Sequence, residues 1–469
     1  MIKTFDIIII GGGPGGYVAA IRAASLKKKV AIIEEKQLGG ICLNWGCIPT
    51  KSLLKTAEIH RTIKNAESFG LKKINPKINW NKIIQRSRNI SNKLCDGIKY
   101  LLNKNNITIF KGRGLLKETK EKQHIVQVEN KTIELLSSKK IIFATGAIAK
   151  QIKNLKYDKN KIWNAFESMI PYKKPKSLII IGSGAIGIEF ASFFIEMGTN
   201  ITIIEIQDRI LPLEDEEISK IAEKSFLKQG IKILTNTKIN DIKIYKKYVQ
   251  VNTISNNINK KNIKADNILV AIGIMGNIKN LGLEKNNIKT EENFIKINHF
   301  SQTNIPGVYA IGDVSGIPCL AHKATHQGII AVEHAFNTNN SYTINNNNIP
   351  NCTYSYPQIA SIGLTEIAAE KRGYKVKIGR FSTVGNGKAL AIGESRSGLV
   401  KVIFNSDNGE LLGAHMIGPE VTEQIQGFIL ARTLESTEKE IIQTIFPHPT
   451  LSEMMYEATL EAFEKNLHV

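Results

Sequence analysis

The chain has 469 residues, 42% hydrophobic and 7% aromatic, which is enough for two to four packed domains of an ordinary globular protein. Its longest apolar runs, such as residues 7–10 and 178–181, are far too short to span a membrane. The net charge of +21 could suit an anionic partner, but the lysines are dispersed (residues 27–29, 173–176, 260–264) without interleaved aromatics, which argues against nucleic-acid binding as a main role and fits weak attraction to an acidic protein better.

Met1-Ile-Lys-Thr-Phe-Asp6 leads at once into the first apolar run, so no targeting segment is expected and the protein is expected in the cytoplasm. Ile7-Ile-Ile-Ile10 reads as a strand. Gly11-Gly-Gly13-Pro-Gly-Gly16 follows, then a helical stretch, then a strand ending at Glu34. The pattern returns 171 residues later: residues 178–181 form the strand, Gly182-Ser-Gly184-Ala-Ile186-Gly187 the turn, and residues 201–205 the second strand, ending at Glu205. In both copies the acidic residue follows the middle glycine by 21 positions. Strand, glycine turn, helix and strand form the context that makes GxGxxG a dinucleotide fingerprint. The first glycine makes the turn, the second admits a pyrophosphate, and the third lets helix and strand pack. The helix N-terminus then faces phosphates, and the carboxylate can take ribose hydroxyls. Glu205 favours NAD over NADP at the second site, because a carboxylate repels a 2′-phosphate. Arg209 comes late and beside Asp208, so it is weak counter-evidence.

Between the two strands of the first copy and the first long helix, residues 39–52 read Gly-Gly-Ile-Cys42-Leu-Asn-Trp-Gly-Cys47-Ile-Pro-Thr-Lys51-Ser. A close cysteine pair in a reducing compartment is more often catalytic than structural, and a disulfide made and broken in each cycle is the obvious use. Two buried small hydrophobes, or half of a metal site, are the alternatives. Cys95, Cys319 and Cys352 are scattered and offer no second short-spaced pair to complete a metal shell. Pro49 starts a helix, which places Cys47 at the positive end of its dipole and favours the thiolate. An ideal helix would turn Cys42 about 140° away from Cys47, so the segment must be distorted, and Gly46 can supply the freedom. Lys51 lies one turn past Cys47, either bringing positive charge to a cofactor ring or simply solvated.

Residues 141–146 form a strand that ends in Thr145-Gly146, and residues 308–313 a strand that ends in Gly312-Asp313. Asp313 could reach a polyol chain or serve as a turn residue. Residues 337–348 are Asn-rich and read as a linker or surface loop. Beyond them, residues 358–363, 398–404 and 411–417 read as antiparallel strands, and 421–434 and 452–465 as helices, giving a separate C-terminal α+β domain. Phe446-Pro-His448-Pro-Thr-Leu-Ser-Glu453 offers a histidine that can take a proton from a thiol and a carboxylate that can hold its other ring nitrogen. A histidine in a Pro-rich turn, with Glu453 in a first helical turn, is the plainer alternative.

The segment Cys42-Leu-Asn-x-Gly-Cys47-Ile-Pro-Thr-Lys51-Ser-Leu-Leu54 resembles the redox segment of the class I pyridine nucleotide–disulfide oxidoreductases, and within them the dihydrolipoamide dehydrogenases. The likeness runs along nearly the whole chain: both GxGxxG units, Ala144-Thr-Gly, Thr303…Ala310-Ile-Gly-Asp313, Leu320-Ala-His-Lys323, Tyr354-Ser-Tyr-Pro357, Asn386-Gly-Lys-Ala-Leu390 and His448-Pro-Thr-Leu-Ser-Glu453. It implies an α/β fold with two Rossmann-like domains, for FAD and NAD, plus a C-terminal α+β dimerisation domain. The implied segments are 1–147 (FAD), 148–275 (NAD), 276–346 (completing the FAD region) and 347–469 (interface). It implies FAD on Gly11, Gly13, Gly16, Glu34, Lys51, Gly114, Thr145, Gly146, Asp313 and Ala321. It implies NAD on Gly182, Gly184, Ile186, Gly187, Glu205 and Gly273. It further implies a redox-active Cys42–Cys47 disulfide, Lys51 paired with Glu189, and His448 and Glu453 supplied by the second subunit of a homodimer. The implied activity is oxidation of protein-bound dihydrolipoamide with reduction of NAD⁺, and the implied partners are the lipoyl domains and acyltransferase core of 2-oxoacid dehydrogenase complexes.

Three departures stand out. The family's Gly-Arg-x-Pro-Asn appears as Gly273-Ile-Met-Gly-Asn277, which bears on NAD contact and the domain crossover. Thr-Gly-x-x-Pro appears as Thr145-Gly-Ala-Ile-Ala149, and His-Glu-Gly as His326-Gln327-Gly328. They predict lower stability before lost function. The rivals are glutathione reductase or another disulfide reductase, disfavoured by Glu205, and a non-catalytic docking subunit, disfavoured by the intact Cys42, Cys47, His448 and Glu453. A mercuric reductase is disfavoured because no cysteine pair follows Cys352.

Overall fold

The computed structural model describes residues 2–72, 74–120, 123–153, 155, 157–255, 259–338, 342–394 and 398–468. Of the Asn-rich linker, residues 339–341 lie outside the described residues. The chain falls into two compact units: residues 1–53, 79–150 and 273–344, and residues 54–78, 151–272 and 345–469.

The first unit is built on a five-stranded parallel sheet in the order Val308–Ala310, Ile141–Phe143, Ile7–Ile10, Val30–Glu34, Thr108–Lys111. The run of four isoleucines is buried on both faces, as the centre of a parallel sheet requires. Ile8 and Ile10 enter a core with Leu116, Val126 and Leu136 of an adjoining four-stranded sheet. Ile7 and Ile9 point the other way, onto Ala19, Ala20, Ala331 and Val332 of two helices. Those helices, Pro14–Ser25 and Ala321–Ala335, approach closely because each is glycine at the contact: a methyl at Gly328 would lie 2.8 Å from the Gly15 carbonyl oxygen.

The second unit repeats this core. Its parallel sheet runs Ile162–Trp163, Asn267–Val270, Ser177–Ile181, Asn200–Ile204, Lys232–Leu234, with the glycine-turn strand again in the middle. A three-stranded antiparallel sheet follows (Thr237–Ile244, Val249–Ser255, Asn259–Ala265). The same unit carries a five-stranded antiparallel sheet, Asn351–Thr353, Gln358–Gly363, Leu411–Gly418, Leu399–Asn405, Val376–Ser382, covered by the helices Val421–Thr433 and Glu453–Ala462. Among the described residues no helix is long and apolar enough to cross a membrane.

A buried charge cluster ties this antiparallel sheet to the helix Glu216–Lys228. Lys401 Nζ, 3% exposed, reaches Asp215 at 2.9 Å and Glu366 at 2.6 Å. Asp215 also caps the helix, accepting the Glu217 N–H, and these contacts outweigh its burial and hold its carboxyl below the ordinary range. Among the described residues, neighbouring Glu214 meets no such cation. Burial pushes its carboxyl up to about 7, with a hydrogen bond from Ser361 pulling down and the Asp215 charge pushing up.

The shift of Glu214 has a definite sign in stability. Below pH ~4.5 the carboxyl is protonated folded and unfolded alike. As pH rises towards 7 the unfolded chain ionises while the folded chain holds its proton, so stability falls, by roughly 3 kcal/mol in all. Glu214→Gln keeps the shape without the titration. The melting temperature of the variant minus that of the parent should therefore rise from pH 5 to pH 8, and a constant difference would contradict the assignment.

Candidate active site

The two cysteines are brought together by a broken helix. Gly40–Trp45 forms a six-residue helix, and an 18-residue helix, Cys47–Lys64, starts two residues on. Between them Gly46 leaves helical geometry, with φ −151° and ψ −112°. The break does what the ideal helix could not: the Cys42 side chain hydrogen-bonds Cys47. A methyl at Gly46 would press to 3.2 Å on the Ile41 carbonyl. Thr50 steadies the break from beyond, both its N–H and its hydroxyl donating to the Gly46 carbonyl.

The charges around the pair are asymmetric. The Cys42 thiol is held well above the ordinary thiol range, first because it donates to Cys47, then by burial, by negative charge on Cys47 and by Asp313, with Lys51 opposing. Cys47 stands at the first residue of its helix, where the dipole favours a thiolate. Asp313 is itself raised by burial and drawn back down by Lys323, whose Nζ donates to the Gly316 carbonyl at 2.6 Å.

The two glycine turns share the same internal contacts. Gly11 has φ +112° and Gly182 φ +95°, and a methyl would meet a backbone carbonyl at 2.1 Å (Ala144) and 2.5 Å (Ala271). At Gly16 and Gly187 a methyl would strike the carbonyls of Gly11 and Gly182 at 1.9 and 2.2 Å. These four positions are glycine for the protein's own packing. The middle glycines differ. Among the described residues, nothing lies within 4 Å of the added carbon at Gly184, and at Gly13 only the Gly40 Cα at 3.7 Å. Both have ordinary backbone angles, φ −70° and −73°, and both precede a helix N-terminus. The open space above the helix N-terminus fits a dinucleotide pyrophosphate in each unit.

The closing carboxylates lock these turns. Glu34 accepts the Gly12 N–H at 2.7 Å and the Lys36 N–H at 2.7 Å. Glu205 accepts the Ser183 N–H at 2.8 Å, the Ser183 hydroxyl at 2.6 Å and the Gln207 N–H at 2.9 Å. Arg209 is turned onto Asp208 and the Pro212 carbonyl.

The remaining expected residues are placed as follows. Gly114 packs under the first strand, where a methyl would lie 2.7 Å from Ile10. Thr145 and Gly146 meet Asn277 in three hydrogen bonds, and Ala147–Ala149 pairs with Ile274–Gly276, so a two-stranded ribbon just past Gly273 ties this segment despite the altered motifs. Gln327, where the family has Glu, uses its amide oxygen to accept the Gly312 N–H at 2.8 Å and the Ser315 hydroxyl at 3.3 Å, holding the turn that carries Asp313. Ala321 is the first residue of its helix. Ile186 is exposed in the second turn. Glu189 is buried in the second unit, where its Oε1 accepts the Tyr354 N–H at 2.9 Å. His448 Nδ1 lies 2.8 Å from Glu453 Oε1, while Oε2 accepts the Thr450 N–H, which leaves Nε2 of an exposed ring for proton transfer. Burial raises the Glu453 carboxyl, but Thr450 and His448 outweigh it and the net shift is downward. Sequence reasoning gave no part to Asn44, Arg88, Cys95, Lys323 or Thr50.

A family model described as pyridine nucleotide-disulphide oxidoreductase matches residues 5–328, and one for the dimerisation domain of the same group matches residues 349–459. Curated relatives named dihydrolipoyl dehydrogenase include one from Zymomonas mobilis, 48% identical with all of both chains covered, and one from Rhizobium etli, 45% identical, likewise end to end. The crystal structure of LpdA from Mycobacterium tuberculosis superposes with a TM-score of 0.90 at 25% identity, covering 98% of this chain and 99% of that one.

The glycines separate packing from binding. Gly184→Ala should leave the melting temperature unchanged and weaken dinucleotide binding at least about tenfold in a fluorescence titration. Gly187→Ala should instead cost about 1–3 kcal/mol of stability, because its methyl meets backbone. A destabilised Gly184→Ala protein would show that the space is not open.

Proposed function

The chain belongs to the pyridine nucleotide-disulphide oxidoreductase family, and we propose that it is a flavin-dependent dehydrogenase that oxidises protein-bound dihydrolipoamide to lipoamide and reduces NAD⁺. The observation that carries this reading is the hydrogen-bonded Cys42–Cys47 pair, set in a unit whose glycine turn leaves room for a pyrophosphate. End-to-end relatives bearing the dihydrolipoyl dehydrogenase name support the choice of substrate.

FAD, bound on the first turn, supplies an acceptor for an electron pair from sulfur and a hydride donor to NAD⁺ on the second turn. The chain's own residues do the rest. His448 Nε2 takes the proton from a dihydrolipoamide thiol, and Glu453 on Nδ1 stabilises the resulting imidazolium. The substrate thiolate attacks Cys42 of the Cys42–Cys47 disulfide, and Cys47 leaves as thiolate. The substrate's second thiol then attacks the mixed disulfide, releasing lipoamide, and its proton ends on Cys42, the sulfur whose environment favours the protonated form. In this reading Lys51 pairs with Glu189 and lends positive charge near the thiolate. FAD is held by segments 1–147 and 276–346, NAD by 148–275, and residues 347–469 join two copies so that His448 and Glu453 serve the partner's cysteines. The protein would then work in the cytoplasm as the shared component of 2-oxoacid dehydrogenase complexes, meeting their lipoyl domains and acyltransferase core.

Purified protein loaded with FAD should form NADH from dihydrolipoamide and NAD⁺, and should be inert with glutathione and NADPH. Cys47→Ser should abolish turnover. His448→Gln should lower kcat by about 10²–10⁴-fold with the KM for NAD⁺ unchanged. A yellow protein that dihydrolipoamide cannot bleach, or one that prefers glutathione, would overturn the reading.

A further inference from the structure

The cysteine pair sits on a short helix whose end is unfinished. Gly40–Trp45 stops at Gly46, so its last carbonyls lack intrahelical partners. One of them, the Asn44 carbonyl, is taken at 2.6 Å by Arg88 Nη1, from the helix Trp80–Lys104. A cation at a helix C-terminus is also favoured by the dipole. The Arg88 guanidinium lies 4.9 Å over the Trp45 ring, and its Nε and Nη2 are buried without a partner among the described residues. The arginine thus bonds this one carbonyl and covers the ring while most of its N–H groups go unpaired.

Two turns along the same helix, Cys95 donates its S–H to Asn44 Oδ1 at 3.2 Å. Burial raises the Cys95 thiol and keeps it a donor. The Asn44 amide nitrogen donates in turn to the carbonyls of Leu38 at 3.0 Å and Gly40 at 2.9 Å. These residues flank Gly39, whose N–H donates to the Gly12 carbonyl of the first glycine turn at 2.8 Å. Asn44 is 3% exposed. It is therefore gripped on three sides, between the dinucleotide turn and the long helix, and it lies between the two cysteines in sequence.

We propose that Asn44, held by Arg88 and Cys95, is the positioning residue that keeps Cys42 and Cys47 within hydrogen-bond reach of each other and so sets how readily their disulfide is reduced. The physical reason is preorganisation. Closing a disulfide costs less when the two sulfurs are already restrained near each other, so a rigid clamp favours the oxidised form and a loosened one favours the dithiol. Cys95 acts here as a hydrogen-bond donor, not as a redox partner. This rests on the redox reading of Cys42 and Cys47.

The FAD-loaded protein is equilibrated in buffers of graded oxidised-to-reduced dithiothreitol ratio, trapped with a maleimide, and the Cys42–Cys47 peptide is scored as dithiol or disulfide by mass spectrometry. Asn44→Ala should shift the midpoint about tenfold towards dithiol, ~30 mV for a two-electron couple. Arg88→Met and Cys95→Val should shift it the same way, about threefold each, while Cys95→Ser, which keeps a donor, should titrate with the parent. Variants that melt earlier but titrate with the parent would overturn the proposal and leave the clamp a matter of stability alone. Should Asn44→Ala fail to fold, Arg88→Met and Cys95→Val decide by the same criterion. If the parent forms no Cys42–Cys47 disulfide at any ratio, the redox reading fails instead.

Discussion

Two cysteines separated by four residues cannot meet on an unbroken α-helix, since 100° per residue carries them to different faces. The break at Gly46 removes that obstacle, and the site depends on it. It ends one helix, starts another, and puts the second sulfur at a helix N-terminus while the first is left within hydrogen-bond reach. The consequence is chemical as well as geometric. A proton shared between two thiols makes the pair ionise in two separate steps, and the helix N-terminus at Cys47 gives it a polarity. A disulfide exchanged at one end and discharged at the other needs that polarity.

The glycine repeat was legible in the sequence because backbone geometry dictates it. A turn with φ near +100° and a helix pressed against a carbonyl admit only glycine, so the first and third glycines of each unit are visible as spacing. The parallel strands were legible for a similar reason: runs of isoleucine bounded by glycine suit a sheet covered on both faces. The middle glycines carry different information. Nothing among the described residues forbids a side chain there, which leaves room for a group from outside the chain. Sequence spacing alone cannot distinguish these two kinds of glycine; the surrounding atoms do.

What the sequence hid is held by long-range contacts. Arg88 and Cys95 lie some forty to fifty positions beyond Asn44 and look like unremarkable members of a lysine- and asparagine-rich helix. Gln327 reads as a lost charge, but in the fold its amide oxygen takes the two donors of the turn bearing Asp313. The altered motif at residues 273–277 reads as a weakened crossover, yet Asn277 and a short antiparallel ribbon hold it without the family's arginine and proline. Each residue was read by its type, whereas its role depends on which backbone groups it meets.

The closing carboxylates show the same limit from the other side. Glu34 and Glu205 were picked out for ribose hydroxyls, and each already accepts backbone N–H groups from its own glycine turn. These roles are compatible, because a carboxylate has about four lone-pair positions. Glu34 uses one oxygen for each of two N–H donors and Glu205 takes three donors in all, so each has a lone-pair position left over. Spending part of that capacity on the turn fixes the carboxylate before any ligand arrives. The rotamer entropy is then lost on folding, so each carboxylate presents its remaining lone pairs already oriented.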